Sequence, residues 1–227
     1  MTHRTNESGN ALWFILLGVV LLGLLTAMLS RSSGTTEDTG DVERIQISAS
    51  EVMRFGKSLQ NAAQSLISRG CSENTINFDY DTAVTGYENV SSPPDNSCDL
   101  FNAKGAGMTW DSAPPDISSS AYIITAANVV TGAECDTANA QCTDLIVLLP
   151  GISESTCLQI NRMLKVTNPA NIPPADNDNA VNTTPFTGSF AFLEDITDAG
   201  AVLAGKDAAC IATGVGTYAF YYVMLKR

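Results

Sequence analysis

Any chemistry in this chain has to be built from carboxylates, hydroxyls and thiols. Its 227 residues contain a single histidine, His3, two positions from the start. A Ser-His-Asp or Cys-His site within one chain is therefore excluded, and zinc ligation through imidazole goes with it. Gly151-Ile152-Ser153-Glu154-Ser155 lacks the closing glycine of a nucleophile elbow, and Ser153 reads better as a helix cap. Gly105-Ala106-Gly107 lacks the third glycine and the following helix of a dinucleotide loop. The carboxylate pairs Asp79/Asp81 and Glu194/Asp195 have the groups for glycoside hydrolysis, but among 24 Asp+Glu such pairs arise by chance. No catalytic residue is assigned, and the expectation is a protein that is not an enzyme.

Asp176-Asn177-Asp178-Asn179 alternates hard oxygen donors in the manner that suits calcium, which makes Asp176 and Asp178 the metal candidates. Ala180 stands where a further donor would continue the set, and no other cofactor is expected. With 12 Lys+Arg against 24 Asp+Glu, the net charge of −12 argues against a nucleic-acid partner, because phosphate contacts need clustered cations. Asn89-Val90-Ser91 and Asn182-Thr183-Thr184 match the glycosylation triplet.

The six cysteines are Cys71, Cys98, Cys135, Cys142, Cys157 and Cys210. An even number with no CxxC or Cys/His metal spacing fits disulfides in an oxidising compartment. Six cysteines allow 15 pairings, and free thiols are the alternative to all of them. Local geometry favours three bridges. Cys135 and Cys142 bracket DTANAQ between two strand-like runs, where a hairpin brings them together. Cys71 follows a helix end and Cys98 opens a strand-like run, which staples helix to sheet; Cys157 is left with Cys210.

The elements that carry these residues begin with residues 11–30, ALWFILLGVVLLGLLTAMLS, twenty residues without a charge. A helix rises ~1.5 Å per residue, so this run matches the ~30 Å hydrocarbon core of a bilayer. The run is longer than a signal-peptide core and lacks a small-x-small cleavage site, so a retained anchor is expected rather than a cleaved leader. Trp13 and Phe14 stand near its entry end, where aromatic rings favour the interface. Arg4 and Glu7 cancel, so the full −12 lies beyond residue 30. Positive-inside bias is small, and the cysteines decide the orientation: N-terminus cytoplasmic, C-terminal domain periplasmic or extracellular.

Residues 31–41, RSSGTTEDTGD, read as a flexible spacer by composition. Ile45, Val52, Leu59 and Leu66 then recur every seven residues, with Phe55 and Ala62 between them. The spacing predicts one apolar stripe on a helix over about 42–69, capped by Asp41 and ended by Gly70. Ser48, Glu51, Arg54, Lys57 and Gln60 form its expected solvated face. TINFDY, CDLFNA, AYIITAANVV, TDLIVLLP, PFTGSFAF and TYAFYYVML are strand-like, with one short helix opened by Ser153. No βαβ alternation is present. The expected fold class is α+β: a transmembrane helix, then a long amphipathic helix packed on a mostly antiparallel sheet, with disulfides.

A polar leader ending in Gly9, an apolar helix, an amphipathic helix and a small disulfide-bonded sheet domain resemble type IV pilins and pseudopilins. The resemblance implies cleavage after Gly9, packing of the apolar helices into a filament core, and, as in some pseudopilins, calcium in a late loop such as that of Asp176 and Asp178. Phe14 stands where pilins carry the glutamate that registers subunits. GNALWFILLGVVLLGLLT, LFNAKGAGMTW, LIVLLPGISESTCLQINRML and TYAFYYVMLKR are also similar to an uncharacterised group of bacterial single-pass membrane proteins. Its most specific piece is Leu149-Pro150, Cys157 and Ile160-Asn161.

The expected organisation is thus a leader at 1–10, a transmembrane helix at 11–30, a spacer at 31–41 and an extracytoplasmic domain at 42–227. Two functions fit it. The first is a non-enzymatic structural subunit of a pilin-like filament or secretion apparatus in the bacterial cell envelope. It would self-associate, or meet protein partners, through the N-terminal helix, where Gly18 and Gly23 permit close approach although their spacing is not small-xxx-small. The second is a monomeric membrane-tethered envelope domain that binds a partner protein or ligand.

Overall fold

The computed structural model describes the backbone of residues 8–79, 86–132 and 141–227, with side chains except at 8–12 and 29–39. The chain divides into two units, Met1–Arg44 and Ile45–Arg227. Helix α1, Ser8–Ser68, is 61 residues long and contributes to both. Residues 31–41 are helical, and Asp41 lies inside the helix rather than capping its start. The segment contains no proline, and its glycines cost only ~1 kcal/mol each, so nothing in it forbids helix.

In the first unit every described side chain from Trp13 to Met28 is exposed. Among the described residues, no helix is long and apolar enough to cross a membrane.

The second unit is an α+β domain. Strands β1 (Ile123–Val130), β2 (Asp144–Pro150), β3 (Glu194–Ile196), β4 (Ala208–Gly214) and β5 (Thr217–Leu225) form one sheet in the order β3-β1-β2-β5-β4. The β1–β2, β2–β5 and β5–β4 pairings are antiparallel, and only β1–β3 is parallel. Helix α2, Glu154–Leu164, lies between β2 and β3 in the chain.

Both faces of this sheet are covered, which explains why its strands read as continuous apolar runs rather than alternating ones. Leu145, Val147 and Leu149 of β2 join Phe220 and Met224 of β5 in one core with Val52, Phe55, Leu59 and Leu66 of α1. Ile146, Leu148, Tyr221 and Val223 point the other way, into a second core closed by Val166, Ile196 and Leu203. Burial pushes the Tyr221 hydroxyl well above its ordinary pKa, helped by Asp207, Asp198 and Asp144, and that hydroxyl donates to Lys206 O at 3.0 Å.

The amphipathic half of α1 packs as its stripe predicts, with two corrections to the polar face. Ser48 and Gln60 are buried. Gln60 reaches the sheet, donating from Nε2 to Val223 O at 3.0 Å and accepting from Lys57 Nζ at 2.5 Å. At Gly56 an added Cβ would lie 2.9 Å from the Tyr222 ring, so helix and β5 approach too closely there for any other side chain. Gly70, at φ +98°, ends the helix as expected, with Cys71 N donating to Leu66 O at 3.1 Å.

Among the described residues, three of the expected strands do not form. TINFDY and CDLFNA meet only at a bridge between Asn77 and Asp99, and PFTGSFAF is irregular. Their aromatic residues plug the core instead: Phe78 packs edge-on against Phe186 at 5.8 Å, and Phe101 against Trp110 at 5.4 Å. Strand β4 was not anticipated, because Ala-Ala-Cys-Ile-Ala-Thr-Gly is poor in β-branched and aromatic residues.

Candidate functional site

The expected metal loop has a structural position of its own. Residues 174–177 strap the two edges of the sheet together. Ala212 N of β4 donates to Pro174 O at 2.9 Å and Asp176 N donates back to Ala212 O at 3.0 Å. On the other side Asn177 N donates to Thr197 O at 2.9 Å, just past β3, and Thr197 N donates to Asp176 Oδ1 at 3.0 Å. Four extended residues cover only ~13 Å, so edges that lie far apart in strand order are drawn close and the sheet curls.

Asp176 is the buried pin of this strap. Its Oδ2 accepts from Ala180 N at 3.2 Å, and Asp178 Oδ1 accepts from the same N–H at 3.1 Å. Burial, then the neighbouring Asp178 carboxyl, pushes Asp176 up to about 7. Asp178 is held below its usual value by hydrogen bonding to Asp176, and Glu194 of β3 is raised by its contact with Asp178. The three carboxyls thus bias one another's ionisation, with the proton favoured on the most buried member. Glu194 was read from the sequence only as half of an adjacent pair with Asp195; its partner is Asp178, sixteen residues away. Among the described residues no group of three or more His, Cys, Asp or Glu is placed to hold a metal ion.

Of the cysteines, Cys71 is bonded to Cys98 and Cys157 to Cys210. Cys98 belongs to an irregular stretch, so its bridge ties the end of α1 to a loop rather than to a strand. Cys142 is disulfide-bonded; Cys135 lies outside the described residues, as does Asp81. Gly9 falls in the first turn of α1, and the leader before Ser8 lies outside the described residues.

The remaining sequence candidates resolve into structural roles. Ser153 is the N-cap of α2, its hydroxyl accepting from Thr156 N at 3.2 Å. Gly105 lies so close to the Asp99 carbonyl that no side chain fits, which accounts for a glycine without any phosphate. Asn89 is buried and spends both amide hydrogens on Asn74 O and Ile76 O, each at 2.8 Å. Asn182 is half-exposed, and its Oδ1 accepts from Thr184 N at 2.9 Å.

Sequence reasoning singled out Asn161 only as part of the Ile160-Asn161 pattern and missed its role, a side chain on α2 that bonds to β4; it also missed the grouping of Asp79 and Glu88 with Asp99 around one cleft. The i, i+4 spacing of Cys157 and Asn161 was the available signal for the first; nothing local marks the second. No family model, no curated protein and no solved structure matches this chain.

Proposed function

We propose that this chain is a non-enzymatic, membrane-anchored structural subunit, pilin-like in plan, whose N-terminal apolar helix packs in the bilayer and against copies of itself. The domain beyond it would stand on the periplasmic or extracellular side, held by its disulfides. The carrying observation is the exposure of the whole apolar surface of α1 from Trp13 to Met28, between 42% at Leu17 and 73% at Met28. Water-soluble surfaces do not leave so large an apolar area uncovered.

One further observation supports the reading. The polar group within this stretch is satisfied internally, with Thr26 Oγ1 donating to Leu22 O and Gly23 O at 3.0 Å each, as a lipid environment requires.

The test is the mature N-terminus of the membrane-extracted protein, read by mass spectrometry, together with sheared surface fractions. A chain that starts at Asn10 and appears in sheared filaments is the expected result. An intact Met1 leader with no filament would overturn it and leave the monomeric tethered domain as the better account.

A further inference from the structure

A groove of about 530 Å³ lies in the second unit between α1 and the segment 108–111. Phe55, Met108 and Trp110 give it an apolar lining, with the Phe55 and Trp110 rings edge-on at 5.9 Å. Arg54 stands on the helix wall and Asp111 on the opposite one. Both are exposed, and among the described residues neither side chain makes an ion pair or a hydrogen bond.

The wall opposite the helix is strand-like but unpaired. Met108 and Trp110 pack toward the core while Thr109 and Asp111 face out, the period of two that marks a strand. Met108 N donates to Leu100 O at 3.1 Å, and the pairing stops there. Among the described residues, no backbone N–H or C=O of 109–113 takes part in a hydrogen bond. An open row of this kind is a template on which another chain can add.

Tyr122 lies behind the lining, its ring 4.4 Å from that of Phe55 and 6.4 Å from that of Trp110. The residue is only 4% exposed, yet among the described residues its hydroxyl has no hydrogen-bond partner. Burial, then the charges of Asp111 and Glu51, push it above its ordinary pKa, so it stays a donor within reach of the Asp111 charge. A nearly buried hydroxyl without an acceptor is costly unless a ligand supplies one.

A single ion cannot use a cation and an anion that face each other across an apolar strip. An extended peptide can: its amides match the open row, and its alternate side chains reach the lining and both charges. We propose that this groove receives an extended segment of a partner protein. The segment pairs its backbone with 109–112, sets an apolar side chain on Phe55 and Trp110, and brings an acidic side chain to Arg54 and a basic one to Asp111. The groove lies wholly in the second unit, so it stands whether or not the N-terminal helix is processed or assembles.

Trp110 reports on the groove directly, because Trp13 is the other tryptophan of the chain and lies in the first unit, where W13F removes it. The full-length W13F chain, in neutral detergent at low salt, is titrated with the end-blocked pentapeptides ETLTK and KTLTE, which cover both strand directions. At least one is expected to shift the Trp110 emission saturably, with half-saturation below about 1 mM. R54Q and D111N should each weaken that peptide about twofold to fivefold, as one exposed ion pair is lost. N-methylation of its inner amides should abolish binding. No shift from either peptide to about 1 mM would overturn the proposal. Affinity unchanged by N-methylation, or in an R54Q/D111N double variant, would do the same. Sedimentation of the same samples covers the other occupant: a mass that falls in the double variant would place a second copy in the groove and overturn the assignment to a partner.

Discussion

Asn161 and Cys210 are joined twice: Asn161 Nδ2 donates to Cys210 O at 2.8 Å, and Cys210 N donates to Asn161 Oδ1 at 2.8 Å. One turn earlier on the same helix, Cys157 is disulfide-bonded to that same Cys210. Strand β4 is an edge strand, and an edge leaves backbone groups unpaired. The asparagine side chain acts there as one residue of an additional strand, while the strap at 174–176 pairs the edge further along at Ala212. Replacing Asn161 by alanine leaves two buried backbone groups of Cys210 without partners. A loss of roughly 2–4 kcal/mol is expected by urea unfolding. A loss below about 1 kcal/mol would mean that water or a shifted side chain replaces the amide.

The two described bridges should contribute unequally. Cys157–Cys210 closes a separation of 53 residues and Cys71–Cys98 one of 27. Loop-closure entropy puts both near 4 kcal/mol, the longer one ahead by about half a kcal/mol. Serine pairs at each site, compared by thermal unfolding, are expected to rank in that order. Equal or reversed effects would show that packing around the bridges outweighs chain entropy.

Gly56 is expected to reject the usual helix-stabilising change. In an exposed helix interior, glycine to alanine gains ~1 kcal/mol. Here the new Cβ lies 2.9–3.1 Å from Cδ2, Cγ and Cβ of Tyr222, the stem of the ring rather than its free end, so α1 or β5 must move. G56A should lower the melting temperature, and the same change in a Y222A background should raise it. Stabilisation in both backgrounds would contradict the close approach.

Asp176 makes stability depend on pH in an unusual direction. Its carboxyl is raised from 3.8 to about 7 in the folded protein, so the folded state binds the proton more tightly than the unfolded chain. The stabilisation from that proton is complete below about pH 4 and lost as pH climbs through about 7. Glu194, also raised, adds in the same sense. Asp178 is lowered, so its contribution is lost only below about pH 4, outside this window. Urea midpoints are therefore expected to fall from pH 4.5 to pH 7.5, and D176N should flatten much of that slope. An unchanged slope in D176N would remove Asp176 as its source.

The two glycosylation triplets should behave differently. Asn89 is buried with both amide hydrogens engaged, whereas Asn182 is half-exposed. After expression in a glycosylating host, any glycan on folded protein should map to Asn182 by peptide mass spectrometry. A glycan found on Asn89 would require modification before folding.

What can be read without the structure is whatever depends on near neighbours in the chain. The stripe Val52, Leu59 and Leu66, the cap at Ser153, the helix stop at Gly70 and the apolar runs of β1, β2 and β5 are all local patterns of period and propensity. They emerge from the sequence because side-chain spacing dictates which face can be buried. The reading fails where a local signal is overruled. Polar, glycine-bearing 31–41 is helical because nothing in it blocks helix, and the aromatic runs around Phe78 and Phe186 fill the core as plugs instead of pairing as strands.

Only the tertiary structure decides the rest. Ala-rich β4 is a strand because β5, the strap and Asn161 surround it, not because its residues favour one. The carboxyl chain of Asp176, Asp178 and Glu194, and the cleft shared by Asp79, Glu88 and Asp99, join residues separated in sequence. Charge is visible in composition, but its effect depends on distance and burial, and both are set by the tertiary fold.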